Sequence, residues 1–340
     1  MLPQYLVRAR AWWFNKVPLS VTLALLLVDG ASLSFHAALA VVLIVLTVCA
    51  VGNYGYAVND LYDVEEDARA GRHNAAVALG TPRVRQIVIA SAIATEMLAT
   101  LAAGAWGAGL TIIELLLPLA YSVPPLRIKE RKWLGIAADA LAAHVYPAAL
   151  ALLTVKYFEV SPISALMSGC VLIWSAAVGV RGILSHQLHT VERDRQGGLT
   201  TVVHEFGHLP FERFIVFALV PIEAATFVGA VAASGGGPIL WVLGGLYLAS
   251  EAFRTLQGGF VVTALRPQGQ SYLPLVEESF YKAWGPIVLA VDAARVDLSF
   301  LVLIPLYAWL FKPHLLAEES KIRSIARAFR SSAAGPDGTA

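Results

Sequence analysis

Charge is the scarcest ingredient of this sequence. Only 14% of its 340 residues are Asp, Glu, Lys or Arg, where a soluble domain carries about 25%. With 57% hydrophobic residues and a mean hydropathy of +0.66, the deficit points to lipid as solvent rather than to a large core. The net charge is +1 and no basic stripe runs along the chain, which excludes a polyanion-binding surface and nucleic acid as a partner. Cysteine is nearly absent. Cys49 and Cys170 both sit inside apolar runs and read as small buried hydrophobes, not as a disulfide or metal pair. No small-residue cleavage site follows Arg8, Arg10 and Lys16, so the apolar run behind them reads as a first membrane segment and not as a removable signal peptide.

What the sequence has in quantity is apolar length. A spanning helix needs roughly 20 apolar residues. Such runs fall at about 17–34, 36–58, 84–104, 107–122, 134–155, 162–186, 211–233 and 238–262. The region 274–311 holds two shorter stretches separated by Asp292, Arg295 and Asp297, either one interrupted helix or two short ones. The N-terminus, the 59–85 loop, the 127–132 loop and the 193–195 turn are basic, whereas the connections near 35, 105 and 235 carry no Lys or Arg. Positive residues stay inside, so a multi-pass protein of the cell inner membrane is expected, with every chemically loaded loop on the cytoplasmic face. The basic tail (Lys312, Lys321, Arg323, Arg327, Arg330) argues for an even number of spans, since nine would put it outside. In that tail Ile322, Ile325, Ala326 and Phe329 recur at helical spacing between cations. That suits a helix lying on anionic headgroups, with a frayed soluble tail as the alternative.

Chemistry concentrates in Asn59-Asp60-Leu61-Tyr62-Asp63-Val64-Glu65-Glu66-Asp67. Asp60, Asp63 and Asp67 are spaced i, i+3, i+7, which on a continuous helix puts them on one side with Asn59 and leaves Glu66 off that face. Crowded carboxylates repel one another unless a cation sits among them. An oxygen-only set selects a hard ion, and a few carboxylates with substrate phosphate oxygens is the usual way Mg²⁺ is held. Gly71 and Arg72 follow, a flexible turn and then a cation able to grip phosphate.

Residues 60–71 laid over 187–198 pair Leu61 with Leu188, Val64 with Val191, Glu65 with Glu192, Asp67 with Asp194 and Gly71 with Gly198. This reads as a duplicated helical half, a common way to build a site at a repeat interface. The second copy is depleted, with Gln187 and Thr190 where Asp60 and Asp63 stand in the first. Between the copies, Tyr121-Ser122-Val123-Pro124-Pro125-Leu126-Arg127-Ile128-Lys129 ends a span. Paired prolines stop the helix and stiffen the exit, so Arg127 and Lys129 project from a rigid platform suited to an anionic phosphate leaving group.

On the NDxxDxxxD run at 59–67, the YSxPPLRxK run at 121–129 and the acidic motif with trailing Gly and Thr at 194–201, the chain resembles the UbiA superfamily of intramembrane prenyltransferases. The 121–129 run is similar to the chlorophyll-synthase and lycopene-elongase branches. The resemblance covers nearly the whole chain in helix order. It implies an all-α polytopic transmembrane bundle of about nine helices around a lipid-open central cavity. That domain would span 1–311 with pseudo-repeat halves at about 17–155 and 162–311, and 312–340 would form the tail. It further implies Mg²⁺-dependent transfer of a prenyl group from a prenyl diphosphate to a lipophilic acceptor of unknown identity through an allylic cation. Asn59, Asp60, Asp63 and Asp67 would hold one Mg²⁺, and Asp194 would contribute to the other. Arg72, Arg127 and Lys129 would neutralise the diphosphate, with Tyr121, Arg181, Gln187 and Thr190 completing the candidate substrate set. The family's second motif usually reads DxxxD, and here it reads Thr190-Val191-Glu192-Arg193-Asp194. Glu192, His186, Gln187 or His189 are the candidates to compensate.

Four other readings compete. His204-Glu205-Phe206-Gly207-His208 matches the HExxH zinc-protease helix, though Pro210 cuts into the helix that should continue. A repeat-built transporter would carry charge at midplane rather than clustered at one face. Within the superfamily, a terpene cyclase lets the cation close on itself, and a phosphoribosyl transferase would use a polyprenyl phosphate. Asn53, Asp139 and His144 are further intramembrane polar residues that could shape a reaction chamber, while Asp29, Glu96, Glu114, Glu223 and Glu251 lie in apolar runs without an assigned role.

Overall fold

In a computed structural model that describes residues 6–198, 200–257, 280–320 and 323, every regular element among the described residues is helical. Among the described residues six helices are long and apolar enough to cross a membrane: Ala9–Val28, Phe35–Tyr62, Thr81–Ser122, Trp133–Tyr157, Ala165–Gly197 and His208–Ser234. The 42-residue Thr81–Ser122 segment is really two arms, 81–102 and 105–122, because Ala103 and Gly104 leave helical geometry. Gly104 has φ +58, and a Cβ on Gly107 would lie 2.2 Å from the Ala99 carbonyl oxygen, so the turn between the arms closes only on glycine. Both runs expected at 84–104 and 107–122 are therefore present.

Start signals are local. Ser34 accepts from the Ala37 N–H at 3.2 Å and Ser164 from that of Met167 at 3.0 Å, capping the 35–62 and 165–197 helices. Gly198 in the left-handed region ends the latter. Val17–Val28 is buried on nearly every side and forms the axis of the bundle, with Leu25, Leu26 and Leu27 packed against Ile44, Met167 and Leu289. On the periphery Ile93, Met97 and Leu101 recur at four-residue spacing and are exposed, as a lipid-facing stripe should be. Asn53 accepts from the Val7 N–H and donates to Ser91, which makes it a tie between segments.

The 274–311 region resolves into two short arms where it is described. Residues 280–293 run away from the motif-bearing end and Leu298–Leu310 returns beside them, with the Tyr307 hydroxyl on the Lys282 carbonyl at 2.6 Å. Asp292, Arg295 and Asp297 form the tip. Asp292 accepts from the Gly237 N–H and from Arg295, and Asp297 from the Leu33 N–H. Lys312–Ser320 then bends by 84° and docks at the motif end through His314 on the Phe14 carbonyl and Trp284 on Glu318. The remainder of the tail, with Ile322, Ile325, Ala326 and Phe329, lies outside the described residues, as does the side chain of Glu251.

Candidate functional site

The acidic run does not continue as one helix. At Asp63 (φ −107, ψ 15) the long helix stops and a short one, Val64–Arg69, sets off in a new direction. Asn59, Asp63 and Asp67 still line one cavity, but Glu66 joins them there. Glu66, expected off their face, is instead 4% exposed and accepts from three cations: Arg72 at 3.0 Å, Arg127 at 2.7 Å and Lys129 at 2.8 Å. A helical wheel cannot anticipate a bend, and this bend turns Glu66 inward.

The expected residues nonetheless converge. Asp63 accepts from Lys129 at 2.6 Å. Asp67 accepts from Arg72 at 2.8 Å and from Asn74 at 2.9 Å. The same Arg72 guanidinium reaches Asp194 at 3.1 Å, so one side chain joins both acidic motifs. Thr190, standing where the family carries a carboxylate, has its hydroxyl 2.6 Å from the other Asp194 oxygen. Ser122 donates to Asn59 at 3.0 Å, which ties the proline loop to the acidic one. Beyond the prolines Arg127 takes a left-handed backbone, and its guanidinium meets Glu130 and Glu66. Burial pushes the Asp63 carboxyl above the usual range, against the opposing pull of Lys129.

Three participants escaped the sequence reading. Arg8 forms ion pairs with Asp60 at 2.7 Å and Asp67 at 2.8 Å. Asn74 donates to both Asp67 and the Asp60 carbonyl. Glu66 bridges the cations as described. Only the cationic stretch before the first span hinted at Arg8, and positive-inside counting absorbed it. Arg181 also lines the cavity. Arg181, 1% exposed, pairs with Glu223 through Nε at 2.7 Å and Nη2 at 3.2 Å, bolting the 165–197 helix to the 208–234 helix. Glu192 is exposed and does not replace the missing carboxylate, whereas Gln187 lines the cavity with its Oε1 unpartnered.

Residues 204–208 do not form a zinc helix. Gly207 (φ 77, ψ 176) breaks the chain between His204 and His208. His204 caps the helix starting after Thr201 and contacts the Val191 carbonyl, and Glu205 pairs with Lys132.

All the loops open onto a cavity of about 1020 Å³. Its mouth carries Asp63, Glu66, Asp67, Arg72, Lys129 and Asp194, and its depth is walled by small and apolar groups such as Val51, Gly52, Leu117 and Pro147. Among the described residues no three His, Cys, Asp or Glu groups close into a ready-made metal cage. The donor set is nevertheless oxygen-rich, since Asn59, Asp63, Glu66, Asp67 and Asp194 all line the cavity while Asp60 lies behind them, paired with Arg8. A hard ion that keeps one or two carboxylates and completes its shell with phosphate oxygens and water needs no such cage, so the residues fit Mg²⁺.

Together these features define a helical membrane protein with a charged vestibule over an apolar chamber. The chain belongs to the UbiA prenyltransferase family, whose profile matches residues 17–258. A UbiA homologue from Archaeoglobus fulgidus bound to DMAPP and Mg²⁺ shares the fold with a TM-score of 0.60 at 15% identity, over 85% of this chain and 98% of that one. The apo UbiA homologue from Aeropyrum pernix K1 gives 0.59 at 19% identity, over 86% of this chain and all (100%) of that one. Among curated proteins, a lycopene elongase/hydratase from Corynebacterium glutamicum is 28% identical over 159 residues, 45% of this chain and 53% of that protein. The chain thus matches about half the length of that relative.

Proposed function

We propose that this protein transfers a prenyl group from a prenyl diphosphate to a lipophilic acceptor within the bilayer, releasing diphosphate. The observation that carries this reading is the meeting of both acidic motifs and the basic loop at the mouth of a chamber that turns apolar with depth. Asn59, Asp60, Asp63 and Asp67 from one motif, with Asp194 from the other, are the residues that would hold Mg²⁺. When bound, the metal supplies Lewis-acid polarisation of the leaving diphosphate.

The protein's own groups do the rest. Arg72, Arg127 and Lys129 are held in place by carboxylates and present fixed positive charge where the departing diphosphate gathers negative charge. Tyr121, Gln187 and Thr190 line the passage between vestibule and chamber. The apolar wall keeps water from the allylic cation until the acceptor reaches it. Arg181 acts through its pairing with Glu223 as a brace of the chamber.

The acceptor is a long polyene hydrocarbon in this reading, which the partial similarity to a lycopene elongase/hydratase supports. The two halves, about 17–155 and 162–311, are a duplicated unit, and Asp67 and Asp194 meeting on one guanidinium supports that ancestry. The basic loops support a vestibule on the cytoplasmic side of the inner membrane.

The test is incubation of membranes containing the protein with labelled dimethylallyl or geranyl diphosphate and Mg²⁺, with and without a lipid extract. Diphosphate release together with a labelled lipid that appears only with extract supports transfer. A cyclic hydrocarbon formed without extract points to a cyclase instead, and no release with either substrate sinks the proposal.

A further inference from the structure

We propose that His186 is the base that ends the reaction, taking the proton the acceptor sheds once the prenyl cation has joined it. This rests on the transfer reading above. His186 lies on the 165–197 helix, two turns before Asp194, which puts it about 12 Å deeper than the second motif at 1.5 Å per residue. Gln187 and Thr190 line the passage between the two levels. The ring therefore stands at the inner end of that passage, beneath a vestibule-bound diphosphate and beside the carbons a new bond would join. An ionisable group kept at membrane depth marks function.

Its surroundings leave the imidazole open. Helical side chains lean toward the N-terminus of their helix, and one turn in that direction stands Gly182, which lines the same cavity and has no side chain to cover the ring. A Cβ on Gly182 would meet only His144 Nε2, at 3.8 Å. The His186 side chain is accordingly exposed to the cavity and makes no hydrogen bond among the described residues. The other titratable groups around it are engaged or closed off. His144 Nε2 is 3.0 Å from Lys16 Nζ, His189 donates to the Ser185 carbonyl, and Arg181 is paired with Glu223. Glu114 has its Oε2 sealed from the cavity, and Asp139 is faced by Lys16. Asp194 accepts from Arg72 and Thr190, not from the ring. Imidazole, with an ordinary pKa of about 6.5, is mostly neutral at pH 7 and then carries a lone pair on one nitrogen, with no cation needed to hold it ready. Asp139, Asp194, His189 and Arg72 are the groups whose charge bears on it, so a proton taken up there meets two carboxyl groups.

The bond changes balance as follows. The C1–oxygen bond of the prenyl diphosphate breaks, and its electron pair leaves on the diphosphate. A trisubstituted double bond of the acceptor gives its pair to C1, forming the carbon–carbon bond and leaving a tertiary cation. An adjacent C–H bond gives its pair to a new double bond, and its proton passes to the unprotonated nitrogen of His186. Without a base there, water is the remaining nucleophile, and a tertiary alcohol replaces the alkene.

The experiment compares wild type, His186→Gln and His186→Ala, purified in detergent, with dimethylallyl diphosphate, Mg²⁺ and lycopene as acceptor probe. Diphosphate, prenylated alkene and tertiary alcohol are measured separately. In both variants the alkene formed per diphosphate released should fall by about 100-fold, with the alcohol making up the difference. Added imidazole should raise the alkene of His186→Ala by about tenfold, a rescue that a merely structural role would not allow. An unchanged alkene yield per diphosphate overturns the inference, as does an alanine variant that imidazole cannot restore. Loss of diphosphate release in both variants makes His186 structural and also overturns it. So does a wild type that itself makes mainly the alcohol, since that product needs no base here. If wild type releases no diphosphate at all, the transfer reading itself has failed. If it releases diphosphate but leaves lycopene untouched, the polyene acceptor and this inference fall together.

Discussion

Replacing Arg72 probes the joint between the two motifs. Its guanidinium makes three charge-assisted contacts at 2.8, 3.0 and 3.1 Å, to Asp67, Glu66 and Asp194. Each hydrogen bond to a charged group is worth about 1.5–3 kcal/mol, but the three share one side chain that is 24% exposed, so neither their sum nor the upper bound applies. A total near 3 kcal/mol is reasonable, about 100-fold in an equilibrium constant. A diphosphate that takes over these contacts gains interactions of the same kind, so Arg72→Ala should lower kcat/KM for the prenyl diphosphate by about 100-fold, mostly through KM. Arg72→Lys should recover only part, because an ammonium is a point charge and cannot fork across three carboxylates. The assay is steady-state diphosphate release at saturating Mg²⁺. Wild-type activity in the lysine variant, or an unchanged KM in the alanine variant, would refute the reasoning.

Asp63→Ala should abolish diphosphate release, whereas Glu66→Ala should lower the thermal midpoint without ligand yet leave KM for prenyl diphosphate equal or lower, because Arg72, Arg127 and Lys129 no longer have to be won from a carboxylate; a tenfold rise in KM would instead put Glu66 on the ligand side. At the opposite end, burial and the nearby Asp292 raise Asp29 to about 6, only partly offset by Arg295. The folded state holds that proton more tightly than the unfolded chain, so its contribution is present at low pH and is lost as pH rises through about 6. Asp29→Asn should raise the thermal midpoint at pH 7 and flatten its decline between about pH 4 and 7, and an unchanged profile would contradict this. Glu223→Ala should cost about 3–5 kcal/mol by stranding the buried Arg181, and Arg181→Met in the same chain should recover much of it; denaturation in mixed micelles reads both.

The bundle was legible in the sequence because lipid demands apolar length, and length survives without knowledge of packing. Runs at 84–104 and 107–122 read as separate spans, and Gly104 delivers the turn between them. The proline loop was legible too, since Pro124 and Pro125 stop a helix wherever they stand, and Arg127 and Lys129 do reach the acids. The direction of Glu66 was not, because spacing arguments assume an unbroken helix and the chain bends at Asp63. Arg8 was beyond reach for another reason. Its contacts with Asp60 and Asp67 join residues more than 50 positions apart, and nothing local encodes them. Arg181 was legible as a polar group of the cavity, which it lines, but its carboxylate, Glu223, one helix away, was not.

The mutual pairing at the vestibule carries a thermodynamic consequence. Arg8, Arg72, Arg127 and Lys129 are already neutralised by the very carboxylates that would meet a cation. Either half of the ligand alone must break pairs and leave the opposite charges stranded. A metal ion and a diphosphate arriving together exchange partners, each satisfying the set the other frees. Binding should thus be strongly cooperative between the two, and by linkage the metal must tighten the diphosphate by the same factor as the diphosphate tightens the metal. Such an exchange keeps the protein from being loaded with half a substrate at the edge of a membrane.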